Sequence, residues 1–540
     1  MPMEHLPGPG LLVVGTSSDA GKSFVVTGLC RLLARRGARV HPFKAVNMSL
    51  NSTAAEDGGE MALAQWVQCR AAGVPPRTVA NPVLLKPEGP GRVEVIVRGR
   101  PFRRVSSWRR EMPRLSATLW EAIRRSLREL RQEGFWVVAE GAGSPAEPNL
   151  KATDLANFRV ARELGLPVLL VADLDRGGAI AHVVGTLALL PPRDRKLVRG
   201  ILLNRIRGDP RVLAGAIRFL RDRTGIPVVG SLGVLEPGQG TLPPEDSLRL
   251  PTAALHLPSA RATELRRPTL GILKLPHASN FSDFSGFDHL SGLRVVWVDR
   301  PEPLARLDAL ILPGSRRTRD DLHWLEENGL FDAVWEGRER GLRIGGVCGG
   351  YQMLGVRLRD PHGFEGNPGT TEGLGLLPVE TSFRDPKLVR EVEVEPIAGP
   401  PWDPGEPRWP GYEIRRGRTR RREGARPLFR IRPRSGQNTL GQDPPSEEDG
   451  AWLPSGEVWG SSVHGLFTSP LRALGVARWA VGGRPPSSRP TIRVRSSAPR
   501  PGTGSPVGTD LERSLDAVAD HLATFMTPRT LSALLEGGAT

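Results

Sequence analysis

The chain has 540 residues, of which 39% are hydrophobic, and a formal net charge of +16 at pH 7. That length calls for more than one hydrophobic core. It carries no run of about eighteen uncharged apolar residues that would cross a membrane, and Met1–Gly10 lacks the basic-then-apolar pattern of a secretory leader. The three cysteines, Cys30, Cys69 and Cys348, form no CxxC pair, so neither a disulfide frame nor a zinc knuckle is expected, and a cytoplasmic location is. The positive charge is mostly arginine. Its densest run, Arg415 to Arg426, has no interleaved aromatics and reads as a solvated loop, so no nucleic-acid partner is expected.

Taken in order, residues 1–235 alternate between strands and helices. Buried-strand runs occur at Leu11–Val14, Arg39–Phe43, Phe135–Ala139, Val168–Ala172, Gly200–Leu203 and Val228–Gly230. Helical patterns fall between them at Ser23–Arg36, Glu60–Ala72, Met112–Gln132, Ala179–Leu190 and Arg211–Arg223. This predicts an α/β domain over residues 1–235, a parallel sheet with helices on both faces. Residues 236–267 are proline-rich and read as a linker. A second α/β series follows over 268–475, with strands at Leu270–Leu275, Leu293–Val298, Ala309–Leu312 and Leu342–Val347. Within it, Arg415–Pro454 reads as an insertion or long loop. Residues 476–540 read as a Pro/Arg-rich tail, with Arg484–Gly508 disordered and a terminal helix over Leu511–Phe525.

The first strand runs into Gly15-Thr16-Ser17-Ser18-Asp19-Ala20-Gly21-Lys22-Ser23, and a helix follows. Strand, glycine-rich turn and helix are the context of a phosphate loop. Backbone N–H groups from Asp19 through Gly21 to Ser23 can face phosphate oxygens. Lys22 would bridge the β- and γ-phosphates of ATP, and Ser23 would ligate Mg²⁺. The spacing is one residue longer than Gly-x4-Gly-Lys. Lys44 ends the second strand and can reach the same phosphates. Glu140 ends the strand Phe135–Ala139 and is placed to face the metal. Glu60 is a second metal candidate, or else an ordinary acidic residue in a helix's first turn. Asn204 closes its strand, where it could read an adenine edge or simply form a turn.

More than three hundred residues downstream, the strand Leu342–Val347 leads into Cys348-Gly349-Gly350 and a short helix, Tyr351–Val356. That is a nucleophile elbow, with small neighbours that allow the strained turn and let N–H groups approach an oxyanion. A cysteine nucleophile needs a base. His464, after the strand-like Glu457–Trp459, is the candidate. Cys30 and Cys69 lie on helix faces and read as core residues.

These motifs together resemble the cobyric acid synthases, glutamine-dependent amidotransferases of cobalamin biosynthesis. The resemblance covers roughly residues 10–470. It rests on Gly15–Ser23, Pro42–Ser52, Asn81–Pro87, Glu140–Glu147, Asp173-Leu174-Asp175-Arg176-Gly177-Gly178, Leu242–Ser247 and Cys348–Gly355. It implies a dethiobiotin-synthetase-like first domain and a class I glutamine amidotransferase second domain. It also implies amidation of the b, d, e and g carboxylates of adenosylcobyrinic acid a,c-diamide, with ATP, Mg²⁺ and glutamine as ammonia donor. Cys348 would be the nucleophile and His464 its base. Lys22, Ser23 and Glu140 would serve ATP–Mg²⁺, and Asp154 would be a synthetase-site residue. The sequence departs from the family pattern twice. Most class I glutaminases have a Glu two residues after the His, where this chain has Leu466, so a Cys–His dyad with a loosely oriented base is expected. The usual Tyr-Glu-Ile-His is Tyr412-Glu413-Ile414-Arg415 here. Cobyrinic acid a,c-diamide synthase, a nucleotide switch with an inactive glutaminase-like domain, and a basic nucleic-acid-binding ATPase are the competing readings.

Overall fold

The computed structural model describes residues 6–89, 91–148, 154–235, 242–243, 267–397, 399–434, 445–483, 491–495 and 508–536. Most of the expected linker and of the 484–507 segment lies outside these residues. The chain divides into two compact units. One comprises Met1–Ser49, Gly59–Glu245 and Leu511–Thr540, and the other Leu50–Gly58 and Asp246–Asp510.

The first unit is built on a six-stranded parallel sheet. Its strands are β1 (Gly10–Gly15), β2 (Val40–Phe43), β3 (Trp136–Glu140), β4 (Val168–Asp173), β5 (Val198–Ile206) and β6 (Val228–Gly233), in the order β6-β5-β4-β1-β3-β2. β1, β3 and β4 are buried along their whole length. They therefore read as continuous apolar runs rather than alternating ones. The register sets Val13 beside Glu140 and Gly15 beside Val171, so the loop after β1 emerges between the ends of β3 and β4. Helix α1 (Lys22–Arg35) follows that loop, and α2 (Leu63–Ala72) and α3 (Ala179–Leu189) pack nearby. Glu60 was expected in the first turn of α2. It lies instead in a short strand, Glu60–Ala62, because the helix begins at Leu63. A second sheet, formed by Val46–Met48, Val83–Pro87, Val93–Val97 and Arg100–Val105, was not predicted.

The end of the chain corrects the expected boundaries. Helix α5 (Gly508–Ala523) is no free tail: from Leu511 onward it is part of the first unit. Its apolar stripe sets Val518 and Leu522 against Gly28 of α1, where a Cβ would lie 2.9 Å from Leu522. Its acidic edge pairs Asp516 and Glu512 with Arg31 at 2.8 and 3.0 Å, and Asp520 with Arg35 at 2.7 Å. After it, α6 (Pro528–Glu536) places Leu534 over Gly200 of β5.

The second unit has its own six-stranded sheet. Its strands are β7 (Thr269–Leu273), β8 (Arg294–Val298), β9 (Ala309–Leu312), β10 (Arg343–Val347), β13 (Ala451–Trp452) and β14 (Val458–Ser461), ordered β8-β7-β9-β10-β14-β13. All pairings are parallel except β13 with β14. Helix α4 (Gly349–Met353) leaves β10 directly. The expected Arg415–Pro454 loop is corrected as well. Its first part belongs to β12 (Trp409–Arg421), paired antiparallel with β11 (Val379–Pro396). The arginines that looked like a solvated run face acidic partners here: Arg421 pairs with Glu448 and Arg422 with Glu380. Cross-strand opposite charges of this kind favour a ladder over a loop.

Candidate functional site

The phosphate loop begins where β1 ends. Gly21 has φ 96°, a left-handed conformation that favours glycine. A side chain there would also collide with Asn204, whose Nδ2 would lie 2.0 Å from a Cβ. Asn204 donates to Ala20 O at 2.9 Å, so this residue from the end of β5 buttresses the loop from behind. Lys22 lies at the start of α1, and its Nζ donates to Ser17 O at 3.0 Å, across the mouth of the loop.

Glu140 is the hub of the site and is almost fully buried. Its Oε1 accepts from Ser23 Oγ at 2.8 Å and from Lys44 Nζ at 2.7 Å. Its Oε2 accepts from Gln68 Nε2 at 2.6 Å. Burying a carboxylate is tolerable only with such partners. Behind Gln68, Gln65 donates to Gln68 at 3.4 Å, and Asn47 donates to Gln65 at 2.7 Å. Gln65 and Gln68 were not foreseen. Their only sequence signal is two glutamines three apart on a helix whose other buried positions are apolar.

The remaining candidates fall elsewhere. Glu60 is buried and ion-paired with Lys86. Asp154 accepts from the backbone N–H of Ala156 and Asn157 at 2.9 and 3.1 Å, capping the turn into the helix Phe158–Leu164. Asn157 in turn donates to Ala142 O at 2.9 Å, which links this turn to the segment after Glu140. Among the described residues, no group of three or more His, Cys, Asp or Glu side chains gathers as a metal cage. Ser23 and Glu140 nonetheless offer the hard oxygen donors that Mg²⁺ takes alongside phosphate and water.

In the second unit Cys348 sits at the turn between β10 and α4 with φ 49° and ψ -106°. That is a strained conformation for a residue with a side chain. The turn closes only because its neighbours are small. A Cβ on Gly350 would lie 2.0 Å from Leu312 O, and one on Gly349 2.6 Å from Ser315 N. The backbone N–H of Cys348 donates to Ser461 O at 2.8 Å, tying the elbow to β14. His464 follows β14, and its backbone exchanges two hydrogen bonds with Tyr412 of β12, at 2.9 and 3.3 Å. The Tyr412 ring stacks on the imidazole at 5.2 Å.

The imidazole stands between a sulfur and a carboxylate. Its Nδ1 hydrogen-bonds Asp283 Oδ2 at 2.7 Å. The other carboxylate oxygen accepts from Gly465 N at 2.9 Å and from Tyr412 Oη at 3.4 Å. Burial alone would push the imidazole pKa down. Asp283, then the hydrogen-bonded Cys348, outweigh it and hold the pKa at about 10. The expected loose orientation is therefore corrected: a buried aspartate fixes the His464 ring. Leu466, at the usual Glu position, is fully buried in the apolar core instead. Asp283 lies in the turn Phe281–His289, entered through Asn280 at φ 57°. Two amides pin this turn: Asn51 Oδ1 accepts from Phe281 N at 3.1 Å, and Asn280 Oδ1 from Ser52 N at 3.3 Å.

Comparison with known proteins finds two domains in this chain. Residues 11–236 match the CobQ/CobB/MinD/ParA nucleotide binding domain, and 269–471 match the CobB/CobQ-like glutamine amidotransferase domain. The cobyric acid synthase of Chloroflexus aggregans is 43% identical over 86% of this chain and 90% of its own length. That of Pelotomaculum thermopropionicum is 43% identical over 97% of this chain and 96% of its own. That of Chloroflexus aurantiacus is 40% identical over 98% and 99%.

The chain belongs to the cobyric acid synthase family. It is an amidotransferase ligase that joins a nucleotide-binding domain to a glutamine amidotransferase domain.

Arg415 stands where the resemblance implies a histidine. It is not in a solvated loop. Its guanidinium pairs with Glu413 at 2.7 Å and donates to Gly417 O at 2.6 Å, while Arg390 holds the other Glu413 oxygen at 2.6 Å. Between them, Ile414 O lies 3.9 Å from Cys348 Sγ. A buried ion pair therefore fixes the strand that passes Cys348. One helical turn beyond Cys348, Gln352 accepts from Thr318 Oγ1 at 3.4 Å. Thr318 also donates to Glu365 at 3.2 Å, whose carboxyl pKa burial pushes up to about 8. Cys30 and Cys69 are buried, and burial, then Cys69, raise the Cys30 pKa, as suits core thiols.

Proposed function

We propose that this protein amidates the b, d, e and g carboxylates of adenosylcobyrinic acid a,c-diamide, using one ATP and one glutamine for each amide. The observation that carries this reading is a Cys348–His464–Asp283 array in the same chain as a phosphate loop whose Ser23, Lys44 and Glu140 meet at one carboxylate oxygen.

At the first site a substrate carboxylate oxygen attacks the γ-phosphorus. The bond to the β–γ bridging oxygen breaks, ADP leaves with that electron pair, and an acyl phosphate forms. Lys22 and Lys44 balance the charge on the phosphate oxygens, and the loop amides orient them. Ser23 and Glu140 would hold Mg²⁺, which supplies charge neutralisation at the phosphates.

At the second site the Cys348 sulfur attacks the side-chain carbonyl of glutamine. His464, held by Asp283, carries the thiol proton and delivers it to the leaving nitrogen as ammonia departs. Water then hydrolyses the thioester to glutamate. Ammonia attacks the acyl phosphate, and phosphate leaves.

Mass spectrometry of a reaction containing the a,c-diamide, ATP, Mg²⁺ and glutamine tests the proposal. Four successive carboxylate-to-amide conversions are expected. An unchanged a,c-diamide, with cobyrinic acid converted to the diamide in a parallel reaction, would assign the chain to the earlier diamide synthase step.

A further inference from the structure

The motif Asp173-Leu174-Asp175-Arg176-Gly177-Gly178 has no part in the site as described so far, yet it emerges beside the phosphate loop. β4 pairs directly with β1, and Thr16 N donates to Val171 O at 2.9 Å, so the two strand ends open side by side. In the turn after β4, Arg176 reaches back to the loop, and its guanidinium meets Asp19 Oδ2 at 3.2 Å. Asp19 is itself in the left-handed region, with φ 57°, at the crest of the phosphate loop.

The ties around this arginine are unequal. Asp173 is buried and held firmly by Arg205 at 2.8 Å, and its Oδ1 accepts from Asp175 N at 2.9 Å. Asp175 is engaged by Arg207 at 2.5 Å. Arg176 approaches Asp173 only to 3.9 Å, so Asp19 is its closest carboxylate. Its side chain is 45% exposed. An exposed ion pair of this sort contributes little to stability. Two glycines in left-handed conformation follow, Gly177 at φ 75° and Gly178 at φ 71°, and α3 starts immediately after. The motif therefore holds one long, permanently charged side chain against the phosphate loop by a weak tie on a turn rich in glycine. A triphosphate brings more negative charge than the single Asp19 carboxylate, and pairs of oxygens that the planar guanidinium grips with two N–H donors.

We infer that Arg176 is a catalytic arginine of the synthetase half-reaction: it leaves Asp19 for the transferring γ-phosphoryl group and stabilises its transition state. This rests on the reading of the phosphate loop as the ATP site. In the step itself the substrate oxygen–phosphorus bond forms as the bond to the bridging oxygen breaks. Arg176 gives up no proton, and its N–H groups pair with the equatorial oxygens where charge spreads.

The test uses full-length protein with Mg²⁺ and the a,c-diamide, comparing equilibrium binding of ADP with that of ADP plus aluminium fluoride, a mimic of the phosphoryl group in flight. Wild type should bind the aluminium fluoride complex much more tightly than ADP alone. Arg176→Ala should lose that gain while binding ADP within about twofold of wild type, and Arg176→Lys should recover part of it. With ammonia as nitrogen donor, Arg176→Ala should lower kcat by about 10³-fold, at the low end of the range for arginines in this role, with KM for ATP unchanged. Retention of the gain and of kcat by Arg176→Ala would overturn the assignment while leaving the ATP site standing. Parallel loss of ADP binding would make Arg176 a brace of the phosphate loop through Asp19 and would equally overturn it. A wild-type protein that binds no ADP would overturn the ATP reading and the arginine with it.

Discussion

Asp283 Oδ2 lies 2.7 Å from Nδ1 of His464, although the two are far apart in sequence. In the mechanism proposed above, the aspartate orients the imidazole. Its second oxygen is fixed by Gly465 N and Tyr412 Oη, so the ring can neither flip nor tilt without breaking several bonds.

Removing the charge from that carboxylate tests the arrangement. Asp283→Asn should lower glutamine hydrolysis by about 10²- to 10⁴-fold, the range seen when a base loses its orienting acid. The imidazole pKa should fall, because burial then acts without its largest opposing influence. The imidazolium that protonates departing ammonia is lost as pH rises through this pKa. The alkaline limb of kcat/KM for glutamine should therefore move from about 10 to lower pH. A limb that stays in place would remove Asp283 from the array.

Charge at Glu140 couples stability to nucleotide. Glu140→Gln removes the negative charge that Lys44 Nζ meets at 2.7 Å. Breaking a buried pair in this way costs about 3–5 kcal/mol. The loss should be smaller with ATP bound, because phosphate then faces the lysine. Denaturant titration with and without ATP measures both.

Glycine at the elbow is required by space. Gly350→Ala would drive a Cβ into Leu312 O, which is backbone and cannot swing aside. The expected cost is about 1–3 kcal/mol, with glutamine hydrolysis lost and ammonia-dependent synthesis retained. Chemical denaturation and the two activities, assayed separately, give the answer.

Glu365 should leave a signature in the pH dependence of stability. Its folded pKa of about 8 lies above the usual 4.5 because of burial. Between those values the folded state binds more protons, so this residue's contribution to stability falls as pH rises from about 4.5 to about 8. Glu365→Gln should flatten that slope, as measured by unfolding midpoints across the range.

The end of the chain should matter to the nucleotide unit. Leu522 is fully buried on Gly28, and Leu522→Ala should cost about 2–5 kcal/mol. Hydrogen exchange should report the loosening in α1, the helix that carries Lys22 and Ser23.

The first parallel sheet and the central strands of the second sheet could be read from the chain because buried strands are continuous apolar runs and glycine-rich turns mark their ends. Lys22, Ser23, Lys44 and Glu140 were legible because each sits at the end of such an element. Asp283 was not: it comes from an irregular turn, and a tertiary contact alone couples it to His464. Gln68 was hidden for a similar reason, as a polar side chain on an otherwise core-facing helix. The arginines of β12 misled because composition shows their charge but not the acids across the strand. Helix α5 was foreseen as a helix, but its place on α1 depends on a stripe that matches Gly28, which local patterning does not report.

The most direct test follows the nitrogen. Wild type and Cys348→Ala would be given ATP, the a,c-diamide, amide-labelled ¹⁵N-glutamine and, in parallel reactions, high unlabelled ammonia, with products weighed by mass spectrometry. The account predicts labelled amides from wild type, and from the variant unlabelled amides only when ammonia is supplied. Labelled product from Cys348→Ala, or none from it with ammonia, would contradict the division into two chemical sites.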